Sequence, residues 1–403
     1  MIAQGPEAAC GVRGPVWSEA YCGGAWLLTG YDQVMAALHD PRFSVRRAAR
    51  WINSGLAGTA GSRPESTPEQ REFKRVFARS LLFVDGRAHR RLRGVVQAGF
   101  KPADLQRQAP AIAAIADRLI AQIDTAACAG FDFVQAFARP LPALVIASLL
   151  GLAHEVPDDF IDWSADIAAF IGSPTPDARQ TLDAQRALAQ MCGFFAQVLA
   201  CGAGTAEDGL LAGIARAREE HRLSAIEALA QCCTLLFAGY ETTRNLLGNG
   251  MLALLRHPDQ WAALKAAPHR LRGAVREMLR YDSPVQYTGR RLLADVQIDG
   301  TRLRRGDLAI LHIAAANHDP RRFSDPGRFD INRDEGSHLS FGHGPHICLG
   351  AALTQMEAEI AFAALMRAMP EATLAPEPAV WQRNGAYRAL ERLAVAPRTF
   401  LHA

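Results

Sequence analysis

Cys348 lies in the run Phe341-Gly342-His343-Gly344-Pro345-His346-Ile347-Cys348-Leu349-Gly350, just ahead of Leu349, Ala352, Leu353, Met356 and Ile360, which share one helical face. The spacing puts its sulfur at a helix N-terminus. Unpaired backbone N–H groups and the positive end of the helix dipole favour an anion there, which lowers a thiol pKa and suits a thiolate metal ligand. Gly342, Gly344 and Gly350 let the backbone pass close to something flat and bulky. The competing reading is a plain core cysteine, since free cysteine is among the most buried residue types.

Three further constellations carry potential chemistry. Ala238-Gly239-Tyr240-Glu241-Thr242-Thr243 sits midway along a long helical pattern. Gly costs about 1 kcal/mol relative to Ala inside a helix, and Thr bonds back to the preceding turn, so a local loosening with room for a ligand is expected. An adjacent acid and alcohol can relay protons, a general acid–base task; a plain polar helix turn is the alternative. Glu277 and Arg280 stand at i and i+3 and meet on one helix face, by itself a common solvated pair. His89 and Arg93 stand at i and i+4 within Asp85-Gly86-Arg87-Ala88-His89-Arg90-Arg91-Leu92-Arg93. A basic cluster of this kind is ordinarily a solvated surface, and no aromatic interleaving supports nucleic acid.

The elements that must position these residues are mainly helical. Ser224-Ala225-Ile226-Glu227 fits a capping box, and no proline interrupts the pattern before His257-Pro258. That helix is expected to run roughly 50 Å and to cross the whole domain. Val296–Gly300 and Leu308–Ile313 show strand-like enrichment around turn signals, so a small sheet follows the helical body. The stretch from Asn53 to Thr67, rich in Gly, Ser, Thr and Pro, reads as a mobile surface loop. Leu141 to Ala153 is apolar but too short to span a bilayer, and reads as a buried core helix. No signal-peptide pattern opens the chain, which places the protein in the cytoplasm without a membrane segment.

Composition excludes little else. The 44 basic and 41 acidic residues are interspersed, with no polybasic tail for nucleic acid or an anionic membrane. Eight cysteines form no CxxC pair, against zinc and dithiol-redox readings. Only Lys74, Lys101 and Lys265 are lysines, and the arginine excess favours planar, bidentate contacts to carboxylates.

The decapeptide around Cys348 resembles the haem-binding loop of the cytochrome P450 family, Phe-Gly-x-Gly-x-His-x-Cys-x-Gly, with every fixed position present. The resemblance implies a cytochrome P450 fold, mainly α with a small β-rich subdomain, as one domain over 1–403; the sheet comes from the N-terminal region and about 285–315. It implies haem b (iron protoporphyrin IX) as cofactor and Cys348 as axial thiolate, with Phe341 beside the sulfur. The N–H groups of Leu349, Gly350 and Ala351 would moderate its charge. His346, His89, Arg93 and Arg290 would reach haem propionates, and Ala238 and Gly239 would line the haem. Glu241 and Thr242 match the family's acid–alcohol pair. Glu277 and Arg280 match its buried ExxR pair, with Arg328 or Arg333 as third member.

The implied activity is that of a haem-thiolate monooxygenase, inserting one oxygen atom from O2 into a small, largely apolar substrate, a secondary metabolite. The alternatives are a P450-type oxidase performing coupling, nitration or peroxide-driven oxidation, and a non-catalytic haem-binding sensor. The sequence has no glycine-rich dinucleotide motif, flavin domain or iron–sulfur cysteine cluster, so electrons come from a separate ferredoxin or flavodoxin with its NAD(P)H-dependent reductase. Arg87, Arg90 and Arg91 are expected to offer that donor positive charge, and the chain is expected to be a monomer. Substrate contacts are expected from Phe83, Phe170, Leu235, Val285, Gln286, Tyr287 and Tyr387, with Thr288 and Asn384 orienting polar groups.

Overall fold

The long helix at the centre decides the architecture of the computed structural model, which describes residues 14–46, 67–123, 130–152, 158–201 and 209–397. Asn53 to Ser66, Cys10, Cys128 and the N-terminal Met1–Glu7 lie outside the described residues. In chain order the α-helices are α1 (Tyr31–His39), α2 (Pro68–Phe77), α3 (Gly86–Gln97), α4 (Pro102–Ala121), α5 (Pro140–Leu150), α6 (Asp158–Gly172) and α7 (Ala178–Cys201). They continue with α8 (Leu210–Glu219), α9 (Ala225–Arg256), α10 (Pro258–Ala266), α11 (Leu271–Tyr281), the short α12 (Ile313–Ala316) and α13 (Ala351–Ala368).

Helix α9 starts where the capping box requires. The Ser224 hydroxyl accepts the Glu227 N–H at 3.3 Å, and the Glu227 carboxylate accepts the Ser224 N–H at 2.9 Å. Its 32 residues span roughly 48 Å at 1.5 Å per residue. From Leu246 to Leu254 every side is buried, and α9 as a whole packs against α5, α6, α7, α11 and α13. A helix apolar all round belongs inside the protein. Thr67, at the edge of the loose stretch, caps α2 by accepting the Gln70 N–H. Helix α5 begins with Pro140 at its first position and is buried along nearly its whole length, as a core helix must be.

The main sheet has strand order β1-β2-β8-β5-β3, formed by Val16–Ser18, Ala25–Leu28, Leu308–Leu311, Thr288–Leu292 and Phe43–Ser44. N-terminal and C-terminal halves are thus knit into one sheet. Strand β2 pairs parallel with β8, while β8 pairs antiparallel with β5. The hairpin β6 (Val296–Ile298) and β7 (Thr301–Leu303) turns at Asp299-Gly300, both with positive φ, the backbone a two-residue hairpin turn demands. The expected strand at Leu308–Ile313 stops at Leu311, because the His312 ring accepts the Ala315 N–H and starts α12.

One apolar core extends from α2 through α9 to α13, and a smaller one lies under the sheet around Leu28, Val34, Leu292, Leu311, Phe323 and Leu339. Short strands at Phe131–Asp132, Thr373–Leu374, Val380–Trp381, Leu390–Arg392 and Ala394–Ala396 complete the chain as two further small sheets.

Candidate functional site

The loop ahead of α13 is folded by its own backbone. The Gly342 N–H donates to the Leu339 carbonyl at 2.8 Å, Ile347 N–H to Gly344 at 3.1 Å, and Cys348 N–H to Phe341 at 2.8 Å. Gly344 has φ +70°, and a Cβ added there would meet the Leu38 carbonyl at 2.8 Å, so only glycine fits. Cys348 is exposed, yet protein encloses it on all sides, which places its sulfur on the wall of an interior cleft rather than on the outer surface. The N–H groups of Gly350 and Ala351 point to it, but burial outweighs them and Arg93, so the thiol pKa is raised. The expectation of a lowered thiol pKa is therefore corrected. Helix-end donors are present, but desolvation of the anion is the larger effect in the protein alone.

Helix α3 brings His89 and Arg93 to this loop. His89 is 4% exposed, its ring 4.0 Å from that of His346, and its Nε2 is buried without a partner. Burial together with the neighbouring His346 and Arg93 pushes its pKa down to about 4, so the ring is neutral at pH 7. Arg93 Nη1 donates to the Ile347 carbonyl at 2.8 Å. His346 Nε2 lies 3.2 Å from Asp85 Oδ1, a protein partner that spacing alone did not reveal. Burial would raise the Asp85 pKa, but hydrogen bonds from His346 and Ser44 hold it at about 2. Arg290 is buried on β5 and donates from Nη1 to Thr288 Oγ1 and the Gly289 carbonyl, both at 2.9 Å.

On α9 the helix is continuous through the polar turn. Thr242 and Thr243 hydroxyls donate back to Ala238 and Gly239 carbonyls at 3.2 and 3.3 Å as expected, but the helix runs on unbroken, so no local loosening follows. Gly239 has a packing reason, since a Cβ there would meet Ile146 Cδ1 at 2.7 Å. Glu241 is 2% exposed. Its Oε1 accepts from Arg244 at 3.2 Å and Asn245 at 3.4 Å, while Oε2 is buried without a partner. Burial raises its pKa against the pull of Arg244.

Behind the cysteine loop, Glu277 and Arg280 are fully buried and paired twice, Nε to Oε2 at 2.7 Å and Nη2 to Oε1 at 2.9 Å. Arg280 also donates to the carbonyls of Asn317, Pro326 and Arg328 at 2.9, 2.8 and 3.2 Å. Arg333 is the third member, with Nε 3.3 Å from Glu277, whereas Arg328 contributes a carbonyl. Asn317 donates to Ser283 and Ser340 and accepts the Leu339 N–H at 2.7 Å, tying α11 to the residues just before Phe341.

With these contacts in place, the comparisons with known proteins are decisive. The family model described as Cytochrome P450 matches residues 204–369. The cytochrome P450 monooxygenase PikC of Streptomyces venezuelae is 37% identical over 400 residues, covering 98% of this chain and 89% of that protein. The chain belongs to the cytochrome P450 family. The structure of P450BioI in complex with an acyl carrier protein ligated by hexadec-9Z-enoic acid superposes with TM-score 0.82 at 32% identity over 94% of both chains. Tirandamycin C-bound P450 monooxygenase TamI superposes with TM-score 0.81 at 33% identity, over 95% of this chain and 94% of that one.

As a cytochrome P450, the protein is a haem-thiolate monooxygenase, an oxidoreductase whose cofactor carries haem iron and which works with a substrate and redox partners. Among the described residues no helix is long and apolar enough to cross a membrane. Arg91 remains exposed while pairing with Glu227 and donating to the Arg222 carbonyl at 2.7 Å.

An inner cavity lies between α2, α6, α7 and α9, lined by Val76, Phe83, Ile171, Ala230, Thr234 and Phe237 among others. Thr234, Ala238 and Thr242 recur every fourth residue and so share one face of α9, linking that cavity to the acid–alcohol turn. Of the expected contacts, Phe83 lines it. Phe170 is fully buried, edge-on to Phe73 and Phe77 at 5.5 and 6.1 Å, a core position. Leu235 is buried on α9, Val285 bridges to Tyr387, and Tyr387 meets Phe237 edge-on at 6.2 Å. Gln286 donates its amide to the Ser283 carbonyl at 2.6 Å, Thr288 accepts from Arg290, and Asn384 bonds Ala168, Ala386 and Tyr387. Asn384 is therefore committed at both its nitrogen and its oxygen, while Gln286 commits its nitrogen and Thr288 one lone pair. Phe237 lies within the stretch from Leu235 to Thr242 from which contacts are expected, whereas Ala230 and Thr234 were missed, although the fourfold recurrence from Thr242 back along α9 is a usable signal.

Glu357, two turns into α13, also escaped notice. It is 2% exposed, and burial pushes its pKa up to about 8. The folded carboxyl therefore keeps its proton at pH 7, while the unfolded chain releases it above roughly pH 4.3. Its contribution to stability is full below that value and is lost as the pH rises towards 8. Glu357→Gln, a neutral residue of the same shape, should gain on wild type by up to about 1.4 kcal/mol per pH unit across this window. Urea midpoints at pH 5 and 8 measure the gap; a gap independent of pH contradicts the buried neutral carboxyl.

Proposed function

We propose that Cys348 gives its sulfur to the iron of haem b, and that residues 1–403 act as one domain. The protein then inserts one oxygen atom of O2 into a small, largely apolar secondary metabolite, working in the cytoplasm as a monomer. The observation that carries this reading is the Cys348 sulfur, enclosed by protein but open to an interior cleft, with two backbone N–H groups aimed at it. The surroundings fit an anionic flat group. His89 offers a buried Nε2 with no protein partner, Arg290 a buried guanidinium, and a Cβ at Gly350 would meet no protein atom within 4 Å. His89, Arg93, Arg290 and His346 would hold the propionates, with Phe341 and Leu349 beside the sulfur and Ala238 and Gly239 across from it.

Bound there, the cofactor supplies reductive oxygen activation, favoured by a thiolate that pushes electron density to the iron. The chain's own task is proton control. Thr242 Oγ1 spends its proton on the Ala238 carbonyl and keeps lone pairs to accept another bond. Glu241 holds one oxygen on Arg244 and Asn245, leaving Oε2 to take and release a proton; its raised pKa brings it closer to neutral pH, where an acid works best. Electrons arrive from a separate ferredoxin or flavodoxin and its NAD(P)H-dependent reductase, with Arg87 and Arg90 available to an acidic donor.

Thr242→Ala tests this assignment in the holoprotein supplied with a ferredoxin and reductase. Oxygen consumption should continue while product per oxygen falls by about 10-fold or more, since a positioned acid–base group is worth 10²–10⁴. Product and oxygen use that stay equally coupled rule out the relay, and turnover of the same size with peroxide alone favours a peroxide-driven oxidase.

A further inference from the structure

A second cleft opens on the sheet. It is bounded by the Tyr21–Cys22 turn, the loop after α6 at Ile171–Pro174, and the face of β5 and β8 carrying Tyr287, Arg291, Leu308 and Ile310. The register explains this lining. Gly289 lies opposite Ile310 and Arg291 opposite Leu308, so Tyr287, Arg291, Leu308 and Ile310 share one face while Arg290 turns to the other. Tyr21 stands edge-on to Tyr287 at 5.2 Å, and the Cys22 thiol donates to the Pro174 carbonyl at 3.0 Å, closing the N-terminal turn over the cleft. Ile171 lines this cleft and the inner cavity alike, so it forms part of the wall between the two.

The walls are mostly apolar, with Ser173 and two tyrosines among them, and Arg291 is the one charged side chain in the lining. Arg291 is exposed and forms no ion pair with a described carboxylate. Asp307, beside Gly306 on the rim, is turned away to the Trp26 indole N–H at 2.9 Å and the Arg304 N–H at 2.8 Å. A guanidinium with its donors available at the edge of an aromatic and aliphatic cleft matches a planar anion on an apolar body.

We propose that this cleft is an entrance subsite for a carboxylate-bearing apolar substrate. Arg291 takes the carboxylate, Tyr21, Tyr287, Leu308 and Ile310 take the adjoining apolar part, and the far end passes Ile171 towards Thr234 and Thr242. The substrate class rests on the monooxygenase reading; the anion site does not.

Dodecanoate and its methyl ester serve as probes, titrated calorimetrically into the holoenzyme. Dodecanoate should bind wild type more tightly than the ester. Arg291→Ala should weaken dodecanoate about tenfold, as one charge-assisted contact at a partly solvated rim allows, and leave the ester within twofold. Arg291→Lys should recover part of the loss, and added salt should weaken the acid alone. No binding of dodecanoate to wild type, or equal affinities of wild type and Arg291→Ala, overturns the subsite. The carbon monoxide difference spectrum of the same preparations separates the two readings. Arg291-dependent binding without a thiolate spectrum leaves the subsite and removes the monooxygenase reading, and the converse removes only the subsite.

Discussion

Cys348→Ala is expected to abolish the thiolate signature in the carbon monoxide difference spectrum of the reduced protein. Product formation should fall by more than about 100-fold, because even outer-shell partners of a metal ligand cost 10–100-fold. The same substitution at Cys233 should leave the spectrum intact. Cys233 is fully enclosed on α9, 3.8 Å from Cys192, with its thiol pKa pushed up by the Cys192 contact and by burial. The comparison isolates what is special about position 348. Both sulfurs sit in surroundings that disfavour a bare anion, but only Cys348 combines exposure to an interior cleft with N–H groups from Gly350 and Ala351. A bound cation would reverse the desolvation penalty that raises its pKa, since a coordinating thiol is deprotonated outright. A thiolate spectrum that survives Cys348→Ala overturns the ligand assignment.

Residue types revealed the reactive centre more readily than its supports. The cysteine loop, the capping box of α9 and the Glu277/Arg280 spacing are local signals, written within ten residues and satisfied by backbone or by one helix turn. The partners of those residues lie far along the chain and carry no pattern. Asp85 meets His346 across 261 positions, and Asn317 meets Ser283 across 34. The strands at Thr373–Leu374 and Val380–Trp381 are two residues long, too short for an alternation of apolar and polar positions to register. The pocket was least legible, because an aromatic such as Phe170 has the same composition signal whether it lines a cavity or fills the core beside Phe73. Polar residues near the pocket misled for a related reason. Asn384 looks available in sequence, yet both ends of its amide are taken by backbone groups that a turn would otherwise leave unpaired, and the Gln286 nitrogen is taken by the Ser283 carbonyl.

The Glu277–Arg280 pair is where structure should fail first. Its charges are both about 2% exposed, and every donor of Arg280 in contact is matched, by Glu277 twice and by three backbone carbonyls. Replacing such a pair by well-packed apolar residues can be neutral, but removing one partner strands the other charge, at a cost of about 3–5 kcal/mol. Arg280→Ala should therefore consume much of a total stability on the order of 5–15 kcal/mol. Arg280→Lys should rescue little, since an ammonium cannot meet Glu277 in two parallel bonds and still reach the Asn317, Pro326 and Arg328 carbonyls. Arg333→Ala should cost less, about 1–2 kcal/mol, because Arg280 still neutralises Glu277. The damage extends beyond stability. Arg280 fixes the Asn317 carbonyl, and the Asn317 side chain fixes Ser340 and Leu339, so freeing one loosens the strand of chain that enters Phe341. Urea unfolding of the holoproteins gives the ranking Arg280→Ala and Arg280→Lys well below Arg333→Ala, with haem content following the same order. Wild-type midpoints and full haem content in Arg280→Ala contradict this account, and a drop in stability with unchanged haem content shows that α11 does not position the cysteine loop.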